Sequence, residues 1–180
     1  KGEAIIYSLT SSIAAVAEGN YGRLGEDQQR RYTDANALPM LEPDEMPGAL
    51  PEVLPSPDQD ANIGRCWTCR SMFMQAWGQY GIAWPVIHQQ LGVRPSIGTG
   101  KLEIVPQIPD GQKRVGGKDI RLGTGAAAVD ARVSGSRYTT TTTVEAIKGV
   151  SDVRVGATLP AGEEAKSVTL DGERVKKPTV

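Results

Sequence analysis

Residues 65–94 read RCWTCRSMFMQAWGQYGIAWPVIHQQLGVR, and the interpretation of the whole chain depends on this stretch. It contains all three tryptophans, the only phenylalanine, both cysteines and the only histidine of a chain of 180 residues. Its large apolar side chains alternate steps of four and three, as one face of a helix does: Phe73, Trp77, Tyr80, Trp84, Ile87 and Leu91. The pattern predicts a helix whose aromatic face lies mostly in the core.

Small residues and a proline interrupt the same helix. Gly78 and Gly81 predict close approach by a neighbouring element, and Pro85 predicts a kink or a division in two. Gly92 marks the end of the helix. His88 is expected to border the packed stripe rather than to act in catalysis.

Cys66 and Cys69 form one CxxC motif, which admits three interpretations: a redox pair, half of a zinc site, or two buried thiols. Zinc would need two further ligands, whereas the chain offers one histidine and no other cysteine. A thioredoxin-like site would need a preceding strand, which the residues NIGR do not provide. Buried thiols are the favoured interpretation, and we expect neither a metal nor a cofactor.

The apolar spacing divides the chain into a helical part followed by a β part. Helices are predicted over residues 4–18 and 26–38, the first on an apolar stripe: Ile6, Leu9, Ile13 and Val16. After residue 95, seven short strand candidates separated by glycine, proline or aspartate turns predict an antiparallel sandwich. We therefore expect a helical region over residues 1–95 and a small β-sandwich domain over residues 96–180.

Residues 40–64 form a predicted loop before the aromatic helix. Its five prolines exclude a continuous helix or sheet, and its six acidic residues occur without any lysine or arginine. A segment of this length without regular structure is usually functional or disordered. Apolar residues spread along it favour an ordered, packed loop: Leu41, Met46, Leu50, Val53 and Leu54.

Charge and hydropathy argue against two classes of partner. The net charge of −1 gives no electrostatic footprint for nucleic acid or an anionic membrane. No apolar run approaches the roughly 20 residues that span a bilayer.

The chain begins without methionine and inside a predicted helix, so we expect it to be a piece of a longer protein.

Carboxylates and aromatic side chains are neighbours in this sequence, and carbohydrate sites use that combination. Sugars present flat apolar faces and a rim of hydroxyl groups, and their hydrolysis requires one protonated carboxyl group and one carboxylate. The candidates are the carboxylates Glu42, Asp44, Glu45 and Glu52 and the sugar platforms Trp67, Trp77, Tyr80 and Trp84. The alternative from the residues alone is that the aromatic side chains are core and the acidic residues a solvated loop.

The order of these segments resembles the C-terminal end of a six-hairpin glycosidase, an (α/α)6-barrel enzyme of the glucoamylase and glycogen-debranching type. The resembling residues are SLTSSIAAVAEGNYGRLGEDQQRRYTDANA, MPGALPEVLPSP, RSMFMQAWGQYGIAWPVIHQQLGV and KLEIVPQIPDGQ. The tail DVRVGATLPAGEEAKSVTLDGE is similar to the β domain that follows such a barrel. The resemblance implies an α+β fold class in which the last hairpins of an (α/α)6 barrel precede a small antiparallel β-sandwich.

The resemblance also implies inverting hydrolysis of an α-linked glucan or a related glycan. By position, Glu52 in ALPEVLPSP matches the family's general base, with Glu45 in reserve. In this family the general acid comes from an earlier hairpin, so the chain alone is not expected to be active. The expected partners are carbohydrate and the missing N-terminal barrel segment. The rival hypothesis is a non-catalytic structural, assembly or carbohydrate-binding protein.

Overall fold

The computed structural model describes residues 5–21, 26–41, 48, 50, 52–55 and 76–179. Together these residues form a small α+β fold in which most helical structure precedes most of the strands. Residues up to the end of the π-helix at Gln90 make up the helical part, and the residues after it make up the β part.

The first part contains a short ribbon and three α-helices. Strand β1 (Ile5–Tyr7) pairs antiparallel with strand β2 (Val53–Pro55). The helices are α1 (Ser8–Tyr21), α2 (Glu26–Ala37), which a 3-10 turn (Leu38–Leu41) continues, and α3 (Ala76–Ala83), which a π-helix (Trp84–Gln90) continues. The three α-helices all contact one another, and α1 makes the most extensive contacts with the other two.

Small side chains pack α1 against α3, and of the predicted apolar stripe Val16 is buried. Ser8 and Ser12 are fully buried, whereas Ile13 is 56% exposed. A Cβ atom added to Gly81 would overlap the backbone of Ser12, and one added to Gly78 would lie 3.0 Å from Ser8 Oγ. The close approach that Gly78 and Gly81 predicted is therefore confirmed, and the missing side chains allow it.

The second part contains eight further strands. The first sheet consists of β3 (Val93–Ser96), β4 (Lys101–Ile104) and β8 (Asp152–Val155), with a 3-10 turn (Ile97–Thr99) between β3 and β4. The second sheet consists of β5 (Arg114–Leu122), β6 (Gly125–Ser134) and β7 (Arg137–Val144). Strands β9 (Thr169–Leu170) and β10 (Glu173–Arg174) form a separate exposed ribbon. Strands β4 and β8 pair in parallel, and the other described pairs are antiparallel.

Aliphatic side chains from both three-stranded sheets fill one core. Its buried members are Leu91, Val93, Leu102, Ile104, Leu122, Ala127, Val129 and Ile147. Val86 and Ile87 of the π-helix pack against this cluster. The end of the helical part therefore contributes side chains to the core of the β part.

Backbone hydrogen bonds also tie the π-helix to the β part. The Gln107 N–H donates to the carbonyl oxygens of Gln89 at 3.3 Å and Gln90 at 3.1 Å, and the Val105 N–H donates to the Gly92 carbonyl at 3.1 Å. Carbonyl groups at a helix end have no partner within the helix, so these bonds satisfy them. Hydrogen bonds within residues 89–107 therefore join the end of the helical part to the β part.

The fold-class prediction is wrong, because the described residues contain neither the successive hairpins of an (α/α)6 barrel nor a β-sandwich. The described ranges hold three α-helices, and the strands separate into small sheets of two or three members. The parallel β4–β8 pair also breaks the expected antiparallel order. The seven strand candidates each overlap an observed strand, but pairing depends on contacts between residues far apart in sequence, which local spacing does not encode.

The element boundaries differ from the predictions in instructive places. The helix expected over residues 4–18 begins at Ser8, because residues 5–7 pair with β2 instead. The second helix lies where it was expected. In the predicted loop, Leu50 is fully buried and Val53 nearly so, as a packed loop requires, whereas Leu41 is 74% exposed.

Candidate functional site

Three aromatic side chains form an exposed row along α3 and the π-helix. Trp77 is 55% exposed, Tyr80 37% and Trp84 42%. The ring centroids of Tyr80 and Trp84 are 5.5 Å apart, and the ring planes are tilted by 45°. We call Trp77, Tyr80 and Trp84 the aromatic ridge. Since large aromatic side chains are mostly buried in folded proteins, an exposed row of them marks a candidate binding surface.

The prediction that this aromatic face lies mostly in the core is wrong. The buried positions of the same helix are Gly78, Gly81, Pro85 and Gln89, which also recur at steps of three and four. Two stripes with helical spacing were thus available for burial. The small residues face α1 because they let the two backbones approach, and this leaves the larger rings on the solvent side.

A buried amide network fixes the helix behind the ridge. Gln89 Nε2 donates to the Val16 carbonyl and to Asn20 Oδ1, both at 2.9 Å. Gln89 Oε1 accepts a hydrogen bond from Gln29 Nε2 at 2.6 Å. Gln29 and Gln89 are 1% and 2% exposed, and a buried amide without partners would be costly. The network therefore sets the position of the π-helix against α1 and α2.

A second buried polar cluster joins α2, α1 and α3 at the other end of the ridge. Asn36 Nδ2 donates to Ser12 Oγ at 2.9 Å. Ser12 Oγ lies 2.7 Å from the Ser8 carbonyl oxygen and 2.9 Å from the Gly78 carbonyl oxygen, and it donates its proton toward these two acceptors. These hydrogen bonds therefore hold the first turn of α3, and the amide network holds the π-helix that continues it.

His88 extends the ridge toward the β part. Its ring centroid lies 4.3 Å from that of Trp84, with the planes tilted by 51°. Its Nδ1 lies 2.7 Å from the Val93 carbonyl oxygen, and its backbone carbonyl accepts a hydrogen bond from Arg94 Nε at 3.0 Å. His88 thus borders the stripe as expected, although Trp77, Tyr80 and Trp84 are exposed and the packed members of the stripe are Ile87 and Leu91.

Glu52 is half-buried and directly precedes β2. Its backbone carbonyl accepts a hydrogen bond from the Ser8 N–H at 3.0 Å and lies 3.3 Å from Ser8 Oγ. Ser8 in turn contacts α3 at Gly78, the residue after Trp77. The hydrogen bond with Ser8 therefore holds the backbone of Glu52 at the start of α1, close to the start of α3, the helix that carries Trp77 and Tyr80.

Several predicted site residues lie outside the described residues. They are the reserve carboxylate Glu45, the platform Trp67 and the cysteine pair Cys66 and Cys69. Their proposed roles in catalysis, sugar binding or thiol chemistry stay predictions. Of the four predicted platforms, the structure brings together Trp77, Tyr80 and Trp84.

An ion-pair cluster on the sheet of β5, β6 and β7 is a further candidate site, which the sequence analysis missed. Asp130 accepts hydrogen bonds from Arg132 Nε at 2.7 Å and from Arg114 Nε at 2.8 Å, and Arg114 Nη2 also contacts it. The hydrogen bonds from Arg132 and then Arg114 lower the pKa of the Asp130 carboxyl from 3.8 to about 2, and the same contact with Asp130 raises the pKa of Arg132.

A partial signal for this cluster exists in the sequence. Asp130 and Arg132 are two residues apart, so strand alternation places both on one face of β6. The position of Arg114 opposite Arg132 depends on the register between β5 and β6, which residue spacing does not supply.

Within the described ranges, no helix combines the length and the apolar character that crossing a membrane requires. In the same part of the chain, no group of three or more histidine, cysteine, aspartate or glutamate side chains is placed to hold a metal ion. Comparisons with protein-family models, curated proteins and solved structures find no match to this chain.

Proposed function

We propose that this chain binds carbohydrate along the aromatic ridge and belongs to a glycan-processing protein. One observation carries this proposal: Trp77, Tyr80 and Trp84 form a row of exposed rings on a helix whose opposite face is packed. Sugar rings present flat C–H faces that stack on aromatic rings, and removing both apolar faces from water stabilises the complex.

Two further features of the ridge suit a chain of sugars. The buried amides of Gln29 and Gln89 fix the helix from behind, so binding does not have to order it. The planes of the Tyr80 and Trp84 rings are tilted by 45°, so sugars stacked on them must turn from one unit to the next. Successive units of an α-linked glucan turn in this way, which makes a linear α-glucan the preferred ligand.

Titration calorimetry with linear α-linked gluco-oligosaccharides tests this proposal. We expect Trp77→Ala and Trp84→Ala each to weaken binding about two- to tenfold, which corresponds to about 0.5–1.5 kcal/mol for a lost aromatic contact. The control is Leu170→Ala, which removes an apolar side chain that is 52% exposed on the separate ribbon and should leave the affinity unchanged.

Because the two tryptophans are exposed, neither substitution should change the thermal midpoint appreciably. A loss of glycan binding without a loss of stability therefore identifies the ridge as the binding surface. The proposal fails if the wild type binds no neutral glycan, or if the double variant of Trp77 and Trp84 binds as well as the wild type.

Hydrolysis is the second candidate function, with Glu52 as the general base of an inverting reaction. Its support is the half-buried position of Glu52 in a segment that two contacts with Ser8 hold beside the start of the ridge helix. An inverting enzyme also needs a general acid roughly 6.5–9.5 Å from the base, and we expect a longer protein to supply it.

Replacement of Glu52 by glutamine in the longer protein tests this second candidate. The amide keeps the shape of the side chain but cannot accept a proton from water, so glycan hydrolysis should be lost while ridge binding is retained. Unchanged hydrolysis by the variant would exclude the catalytic role. A wild type that binds glycan without hydrolysing it would favour the carbohydrate-binding function alone.

A further inference from the structure

A shallow groove crosses the outer face of the β5–β6–β7 sheet, away from the aromatic ridge. Its volume is about 530 Å³, and its lining includes Arg114, Gly116, Lys118, Ala128, Thr141 and Thr143. The strand register explains its shape: Gly116 and Ala128 keep the floor low on either side of Asp130, which lies between Gly116 and Thr141 and also lines the groove. Cationic side chains lie on one side and hydroxyl groups on the other.

Packing does not explain the glycine in this floor. Glycine weakens a strand interior and often marks a place where a ligand approaches the backbone. Neighbouring Gly117 has a structural reason, because an added Cβ would lie 2.7 Å from Leu91 Cδ1. An added Cβ at Gly116 would meet only ordinary contacts of 3.5 Å or more, and its backbone needs no left-handed conformation. The Asp130 carboxylate and the Arg114 guanidinium lie 3.7 and 3.8 Å from this added Cβ, so the missing side chain at Gly116 leaves the space beside their ion pair open.

The cations beside the groove are arranged as a pre-oriented pair. Arg114 and Arg132 lie opposite each other on neighbouring strands, and the single carboxylate of Asp130 holds both through their Nε atoms. Each guanidinium group has five N–H donors, so donors remain on both, and the two side chains are 60% and 63% exposed. With Lys118, three cations face one carboxylate, which leaves a local charge of +2 on a chain whose net charge is −1.

We propose that this groove binds an anionic glycan, one that carries carboxylate or sulfate groups. Arg114 and Arg132 would bind the oxyanion, since a guanidinium group matches the geometry of both anions. Thr141 and Thr143 would bind sugar hydroxyls, and the low floor at Gly116 and Ala128, on either side of Asp130, would receive the sugar ring. The site is separate from the ridge and does not depend on the function proposed there.

The lining favours a glycan over other polyanions. No aromatic ring lines the groove, whereas sites for single-stranded nucleic acid stack their bases on such rings. The threonine hydroxyls match a ligand with many hydroxyl groups rather than a row of phosphates. Arg114 and Lys118 are the basic residues of its lining, whereas nucleic acid contacts require a longer basic stripe.

Calorimetry with a uronate oligosaccharide, a sulfated oligosaccharide and inorganic sulfate tests the proposal on the full chain. We expect one or both oligosaccharides to bind, with an affinity that falls as salt is added. Arg114→Gln and Arg132→Gln should each weaken binding about tenfold to a hundredfold, as expected for lost hydrogen bonds to a charged group. Comparison of the uronate and sulfated ligands shows which anion the site prefers.

Gly116→Val is the decisive variant, because valine suits a strand and its Cβ fits, yet its methyl groups enter the groove beside the ion pair of Asp130 and Arg114. We expect it to fold with an unchanged circular dichroism spectrum and to lose glycan binding. Arg154→Gln is the matched control: it removes an exposed arginine that also contacts an aspartate, but on β8. It should bind like the wild type.

Three results would overturn the proposal. The first is the absence of binding to either oligosaccharide, and the second is binding that survives Gly116→Val. The third is equal binding of single-stranded DNA or of phosphatidylserine vesicles, which would show general charge attraction. Groove variants should leave binding of neutral α-glucans at the ridge unchanged, so failure of this proposal is distinguishable from failure of the ridge proposal.

Discussion

The two parts of this chain bury opposite kinds of side chain. In the helical part, serines, glycines and glutamines lie between the helices while tryptophan and tyrosine face solvent. In the β part, leucine, isoleucine and valine fill the core and threonine and arginine face solvent. The β part is thus held by the burial of apolar area, and the helical part by close backbone approach and satisfied polar groups. Apolar periodicity predicts the first kind of packing well and the second kind poorly.

The largest expected effect breaks the β core. Ile104 is fully buried in the cluster that both sheets share, so Ile104→Ala should lower the free energy of unfolding by about 2–5 kcal/mol. Urea denaturation measures this loss. The control is Val153→Ala on the neighbouring strand, where the side chain is 44% exposed and truncation should cost much less. Equal losses for the two variants would contradict the assignment of the core.

The next effect tests packing through glycine in the helical part. Alanine is the better helix former by about 1 kcal/mol, yet Gly81→Ala should destabilise the protein by about 1–3 kcal/mol, because its Cβ would overlap Ser12. Gly98→Ala is the control, since an added Cβ there meets nothing within 4 Å. A Gly81→Ala variant that is as stable as the wild type would show that α1 and α3 are not in close contact.

A smaller effect tests the amide network. Gln89→Met keeps the length of the side chain but removes one of the two acceptors of Gln29 Nε2, which keeps its bond to the Ala15 carbonyl, and it removes the donor of the Val16 carbonyl. We expect a loss of about 1–2 kcal/mol in the free energy of unfolding, which is the cost of a buried donor left unsatisfied. In a double-mutant cycle with Gln29→Met, the combined loss should be smaller than the sum. Additive losses would show that the two amides do not interact.

The smallest effect concerns acid stability at the outer face of the β part. The folded protein holds the pKa of Asp130 at about 2, below the ordinary value of 3.8, so its ion pairs favour folding fully at pH above 3.8. This stabilisation should be lost as the pH falls from about 4 to about 2. Thermal midpoints measured across this range should fall less steeply for Asp130→Asn than for the wild type. Identical slopes would exclude the contribution of Asp130.

Local features of the fold were predictable where a single rule decides them. The second helix and the seven strand candidates follow from periodicity and turn residues, and the closeness of Gly78 and Gly81 to a neighbour follows from their missing side chains. The burial of the aromatic stripe was predicted wrongly, because Trp77 and Gly78 both belong to stripes with helical spacing. Which stripe is buried depends on what faces the helix, here Ser8 and Ser12.

The candidate sites show the same division. Trp77, Tyr80 and Trp84 were predictable as a group because a helix brings residues at such steps together. The pairing of Arg114 with Asp130 was not, because it requires the register of two strands joined by a turn. The pairing of β8 with β4 could not be predicted from the sequence either, since nearly fifty residues lie between the two strands. Non-local pairing of this kind leaves no periodic trace in the sequence.

The bonds from Gln107 to the end of the π-helix have a consequence for recombination. A chimera that joined residues 1–95 to an unrelated β domain would leave the Gln89 and Gln90 carbonyls without their donor and remove the core residues that pack against Leu91 and Val93. The reverse graft would lose the same apolar side chains from its core. A chimera should therefore take residues 86–107 from one parent protein, and the junction between the two parents should lie outside this range.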